Sequence, residues 1–207
     1  NETEVSWYQD EPAVSLALIQ EAVPDQSSRI IDIGGGASVL VDRLLALGYE
    51  QPAVLDLSQA ALVCAQARLA EAAGRVQWIV ADVTQEPDLG RCDLWHDRAA
   101  FHFLIEEADR LRYRALAERI VRPGGHLVIA TFAPGGPEQC SGLPVCRYDA
   151  DALATRAANE AGLADAGAAF RTHLVRRRIA LRTLRLLAPL GRDLGDGRGE
   201  VVTEPVV

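Results

Sequence analysis

Ile30-Ile31-Asp32-Ile33-Gly34-Gly35-Gly36-Ala37-Ser38 is the stretch that decides the fold. Apolar residues flanking one carboxylate make a short strand over Arg29–Ile33, and three consecutive glycines break it. Gly34 and Gly36 admit positive φ and carry no Cβ, so the backbone can turn sharply and a ligand can approach it. Apolar spacing of helical period resumes over Val39–Leu47, and Gly48 stops it. Strand, glycine turn and helix in this order open a βαβ unit. Taken alone, the turn reads equally as a plain tight connection or as a ligand cradle.

The pattern repeats outward from this point. Upstream, Pro12 opens a helix running to about Val23, and Pro24 closes it. Downstream, Ala53–Leu57 is a second strand, and Ser58 is a good N-cap for the Ala-rich helix Gln59–Ala73, stopped by Gly74. Val76–Val80 and Cys92–Trp95 read as the third and fourth strands. Glu106–Val121 reads as a helix with Leu111, Ala115 and Ile120 on its buried face. Pro123-Gly124-Gly125 then turns the chain into a fifth strand, His126–Thr131. Five strands alternating with helices predict an α/β fold: a Rossmann-like, doubly wound three-layer sandwich around a mostly parallel central sheet. Ligands of such sheets bind beyond the carboxyl ends of the strands, at the switch point.

Two carboxylates stand at such ends. Asp56 closes the second strand, twenty residues after Gly36, where it can accept from both hydroxyls of a ribose. Asp82 follows the third strand, where it can accept from an adenine amino group while the Val83 N–H meets a ring nitrogen. Each alone reads as an ordinary loop acid or helix cap. Together with the glycine turn they make three hits at successive strand ends. The chain contains no Lys, which excludes a G-x-x-x-x-G-K-[ST] phosphate loop.

On these residues the sequence resembles the class I S-adenosylmethionine-dependent methyltransferases. The family's acid followed by G-x-G is matched by Asp32-Ile33-Gly34-Gly35-Gly36, and its acid after the second strand by Asp56, with Leu57 beside it. Its adenine-facing Asp falls on Asp82, with Val83 supplying the backbone contact, and its Pro-Gly-Gly falls on Pro123-Gly124-Gly125. The segment after the fourth strand falls on Asp93-Leu94-Trp95-His96-Asp97-Arg98. Val5-Ser6-Trp7-Tyr8-Gln9, Trp95–Leu104 and Gly136–Val145 look like a small bacterial subgroup of unknown acceptor. The resemblance implies S-adenosylmethionine as cofactor, held by Asp32, Gly34, Gly35, Gly36, Asp56, Leu57, Asp82, Val83 and His96. It covers roughly residues 5–155 and is silent about the methyl acceptor. Two further strands are implied after the fifth, as an antiparallel hairpin that the sequence does not place.

Methyl transfer from a sulfonium needs alignment more than acid–base chemistry, so a general base is optional. Asp97 and His102 are the candidates for one. For Asp97 an ion pair with Arg98 is the competing role, and for His96 and His102 a structural one. Cys140 and Cys146 lie in the Pro- and Gly-rich segment Ala133–Tyr148, read as loop, where they pack the loop or face a soft acceptor. Their spacing is not a zinc half-site, and no metal is expected.

The boundaries expected are a cofactor-binding domain over 1–170 and a divergent tail over 171–207. Thr172–Leu187 reads both as a basic amphipathic helix and as strand-like alternation, and Arg192–Val207 has the composition of disordered chain. A shifted reading frame is one route to such a tail. The chain starts at Asn1 and holds no Met, which suggests a trimmed product or a fragment. A net charge of −8 argues against nucleic acid. No apolar run is long enough for a membrane span, and four cysteines without a framework suit a reducing cytoplasm. A small-molecule acceptor is expected, with a protein acceptor as the other option. A nicotinamide oxidoreductase is the weaker alternative, since Val39 stands where its third glycine belongs; a non-catalytic cofactor-binding protein is the third.

Overall fold

The structure, a computed structural model, describes residues 11–149, 152–153, 169–175 and 179–185. Strand β1 (Arg29–Ile33) is preceded by helix α1 (Ala13–Ala22) and followed by α2 (Leu40–Ala46), β2 (Gln51–Asp56), α3 (Gln59–Leu69) and β3 (Gln77–Val80). Then come β4 (Cys92–Arg98), α4 (Glu107–Ile120) and β5 (Val121–Phe132). Two short strands, β6 (Gln139–Cys140) and β7 (Leu143–Pro144), form a separate hairpin; β8 (Ala169–Val175) and β9 (Ile179–Arg185) follow.

The main sheet has the order β3-β2-β1-β4-β5-β9-β8. β1 to β5 pair in parallel, and β9 runs antiparallel to both β5 and β8. The chain winds outward from β1 through β3, then returns to lay β4 on the other side of β1. That return makes β1/β4 the switch point, where connections leave in opposite directions and open a crevice.

Alternation of side chains sorts the strand residues between two layers. Ile30, Leu94, Val128 and Ala130 cluster with Leu16 and Ile19 of α1 and Leu40 and Leu44 of α2. Ile31, Ile33, Trp95, Leu127 and Ile129 cluster with Tyr113, Leu116, Ala117 and Ile120 of α4. Both faces are apolar through most of their length, as a parallel sheet requires. Asp32 of β1 and His96, Asp97 and Arg98 of β4 collect toward the carboxyl ends.

Two expectations are corrected. The buried stripe of α4 is Tyr113, Leu116, Ala117 and Ile120, at helical spacing, while Leu111 is 45% exposed and Ala115 is exposed. The segment read as plain loop contains the β6–β7 hairpin, whose turn residues Ser141 and Gly142 have φ of 51° and 77°. Two positive φ values in a two-residue turn match the right-handed twist of the flanking strands. The antiparallel hairpin implied after the fifth strand is β8 with β9, and of the two readings of Thr172–Leu187 the strand-like one holds over Thr172–Val175 and Ile179–Arg185; the boundary expected at residue 170 falls within β8. Most of the helix expected over Asp149–Gly162, and the tail beyond Arg185, lie outside the described residues.

Candidate functional site

The carboxyl ends of β1, β2, β3 and β4 meet beside the switch point. Gly34 and Gly36, at φ of 67° and 46°, occupy the left-handed region that favours glycine. Space is as restrictive as the dihedrals. A Cβ on Gly34 would lie 2.8 Å from the Cβ of Ala100, one on Gly35 2.5 Å from Asp32 Oδ2, and one on Gly36 2.9 Å from Asp56 Oδ2. A plain turn would not need all three glycines; a cradle walled by two carboxylates and the loop after β4 does.

Asp56 Oδ1 accepts from the Ser58 N–H at 2.7 Å, and the Gly36 N–H also donates to this carboxylate. Burial raises the Asp56 pKa, opposed by the Ser58 N–H, reinforced by the charge of Asp32 and opposed again by Gly36. Leu57 beside it is 71% exposed. The Ala81 N–H donates to the Asp56 carbonyl at 3.2 Å and ties the end of β3 to the end of β2. Asp82 follows, half-buried, its Oδ1 accepting from the Thr84 N–H at 2.8 Å and the Thr84 hydroxyl at 2.7 Å. This caps a single turn over Val83–Gln85.

Asp32 is buried, and the parallel register sets it directly opposite His96. Its Oδ1 lies 2.6 Å from His96 Nδ1, and His96 Nε2 lies 3.0 Å from the Ser15 hydroxyl on α1. His96, expected as a cofactor contact, is 1% exposed and stands behind Asp32. β4 runs on to Arg98, beyond the expected end at Trp95, so His96 lies inside the strand and turns into the helical layer rather than the crevice.

Asp97 and His102, expected to face the acceptor, are both at 0% exposure. The Asp97 carboxylate accepts from the N–H groups of Ala100 and Phe101, and from the Tyr113 hydroxyl at 2.6 Å. Trp95 Nε1 donates to the same hydroxyl at 2.7 Å. Burial pushes the Asp97 carboxyl up to about 6 despite these donors. Asp97 thereby shapes the loop that sets Ala100 against Gly34. Burial holds the His102 imidazole down at about 4, so it is neutral at physiological pH, packed against Phe103 and Phe132. Both side chains are closed off by their own neighbours in this structure. Arg98, half-buried at the end of β4, has its pKa lowered by burial and raised by Asp32.

Residues 30–125 match the model of a family described as a methyltransferase domain. This stretch is a methyltransferase domain. Its strand-end acids and glycine cradle fall inside that match, which gives the nicotinamide alternative no support. No curated protein matches the sequence. Among solved structures, the methyltransferase is similar to the 1,6-didemethyltoxoflavin-N1-methyltransferase of Burkholderia thailandensis, with a TM-score of 0.66 and 20% identity over 86% of this chain and 80% of that one. The glycopeptide N-methyltransferase MtfA, complexed with S-adenosylmethionine, has a TM-score of 0.64 and 16% identity over 88% and 96%. An amino pentose methyltransferase of calicheamicin biosynthesis from Micromonospora echinaspora has a TM-score of 0.62 and 17% identity over 86% and 90%.

Ser15 and Tyr113 are the residues the sequence did not offer for this methyltransferase site. Ser15 is a lone hydroxyl in an apolar helical run, which is the only local trace it leaves. Among the described residues, no group of three His, Cys, Asp or Glu is placed to hold a metal ion, and no helix is long and apolar enough to cross a membrane. All four cysteines are free, and burial pushes the Cys92 thiol up to about 12.

Proposed function

We propose that the methyltransferase acts on a small-molecule nucleophile, using the crevice at the β1/β4 switch point. The convergence of Asp32, Asp56 and Asp82 on the glycine cradle carries this reading. Asp56, half-exposed and held by two backbone donors, is oriented to accept from ribose hydroxyls. Leu57 offers an apolar surface to the adenine ring. Asp82 Oδ1 serves its cap, and Oδ2 retains accepting capacity for an adenine amino group next to the Val83 N–H. Asp32 and Asp56 make the cradle anionic, which suits a ligand carrying an ammonium and a sulfonium.

S-adenosylmethionine, when bound, supplies an electrophilic methyl group with a neutral leaving group. The chain's part is to hold and align. Alignment alone contributes roughly 7–11 kcal/mol to such displacements. Asp97 serves by fixing the loop to Ala100, and neither it nor His102 removes a proton.

The acceptor side is framed by the turn Phe101–Phe103 and the β6–β7 hairpin. The Cys146 N–H donates to the His102 carbonyl at 2.8 Å and the Tyr148 N–H to the Phe132 carbonyl at 2.9 Å, which seats this segment at the carboxyl end of β5. Leu143 at the hairpin is 57% exposed and Ile105 47%. A short apolar rim of this kind suits a small acceptor better than a polypeptide. The solved structures named above are methyltransferases of a didemethyltoxoflavin, a glycopeptide and an amino pentose. Incubation with methyl-labelled S-adenosylmethionine and either a small-molecule extract or a dialysed protein extract tests the reading. Label is expected in the small-molecule fraction; label confined to protein would contradict it.

A further inference from the structure

We propose that Ser15 and His96 are positioning residues that hold Asp32 in its cofactor-binding orientation and link the seat of α1 to cofactor affinity. This rests on the assignment of Asp32 to the cofactor site. Asp32, His96 and Ser15 are 4%, 1% and 3% exposed, so water replaces none of the bonds among them. An ionised carboxylate only accepts, so His96 Nδ1 carries a proton toward Asp32 Oδ1. In the neutral imidazole, Nε2 then accepts the Ser15 hydroxyl proton. The 2.6 Å separation is that of a charge-assisted bond. One carboxylate oxygen is thus fixed, and the other, Oδ2, stands at the floor of the glycine turn, where a Gly35 Cβ would meet it at 2.5 Å.

The three elements joined are those that flank the switch point. β1 carries Asp32, β4 carries His96, and α1 lies over both, with Leu16 and Ile19 packed in the same cluster as Ile30 and Leu94. A displacement of α1 would release Ser15, then the imidazole plane, then the carboxylate. The order of groups is also that of a nucleophile triad, but Ser15 at 3% exposure offers no hydroxyl to a substrate.

Calorimetric titration with S-adenosylhomocysteine tests this on the full chain. His96→Phe is expected to weaken binding by about ten- to a hundred-fold and Ser15→Ala by a smaller factor. His96→Asn, whose amide nitrogen stands where Nδ1 stands, restores most of the loss. In an Asp32→Asn background, His96→Phe is expected to change affinity by less than about two-fold, because the coupled partner is gone. Equal losses in both backgrounds would make His96 a packing residue and overturn the proposal while leaving the cofactor reading intact. A folded wild type that binds no S-adenosylhomocysteine would end both. If Asp32→Asn binds too weakly to measure, the His96 Nδ1 proton decides by NMR. Its resonance, downfield of the ordinary imidazole range, is expected to move when the ligand is added, and a resonance indifferent to ligand would overturn the proposal.

Discussion

Asp97 and His102 are both sealed from solvent, yet they titrate in opposite senses. Asp97 is held at about 6 against an ordinary 3.8, so the folded state binds the extra proton and stability from this group falls as pH rises from about 4 to 6. His102 is held at about 4 against an ordinary 6.5, so its contribution is full above 6.5 and is lost as pH falls toward 4. Each effect is worth about 3 kcal/mol, and in the wild type they largely cancel across the shared window. In Asp97→Asn only the histidine slope remains, and urea denaturation should show stability dropping relative to wild type as pH is lowered from 6.5 to 4. A parallel pair of profiles would contradict this. Asp56 gives a binding counterpart. Its raised pKa means that affinity for S-adenosylmethionine begins to fall on acidification at a pH above the ordinary carboxylate range, and calorimetry at stepped pH reads it directly. The placement of Asp32, Asp56 and Asp82 was legible in the sequence because each lies at or just beyond the carboxyl end of its own strand, a local fact. The burial of His96, Asp97 and His102 was not, since it depends on Ser15, Tyr113 and Phe132 arriving from distant elements.

The element that fixes the site is the loop from Asp97 to Phe101, stitched to β4 by the carboxylate and to α4 by Tyr113. Tyr113→Phe removes a donor from a buried carboxylate and the acceptor of Trp95, and should cost about 2 kcal/mol of stability by chemical denaturation. On the facing element, Gly36→Ala places a methyl group against Asp56 at φ of 46°. It should weaken cofactor binding by more than about ten-fold while the fold persists, and calorimetry with circular dichroism checks both parts. The strand–turn–helix succession around Gly34–Gly36 was legible because period two gives way to helical period across three glycines. The stripe of α4 was misjudged because apolar residues lie on both of its sides. Only contact with Trp95 and Asp97 selects Tyr113, Leu116, Ala117 and Ile120 over Leu111 and Ala115.

Among the described residues, a parallel five-strand sheet is closed on one side by two antiparallel strands. β9 pairs with β5 along His126–Phe132, so Ile179–Arg185 is part of the sheet. A chain ending at Gly167 leaves that edge of β5 unpaired and should lose cooperative unfolding and aggregate on size exclusion; a monomeric truncation with an unchanged melt would contradict this. The tail was the least legible region. Phe170 is the last aromatic residue in the sequence, so little but alternation marks its strands, and antiparallel pairing with β5 is a tertiary fact that alternation alone does not separate from an amphipathic helix. The central claim concerns the cofactor, and calorimetric titration of the folded chain with S-adenosylmethionine, S-adenosylhomocysteine and NAD tests it most directly. Micromolar binding of both sulfur nucleosides, none of NAD, and loss of binding in Asp56→Ala are predicted. A folded chain that binds NAD, or binds neither sulfur nucleoside, would contradict the account.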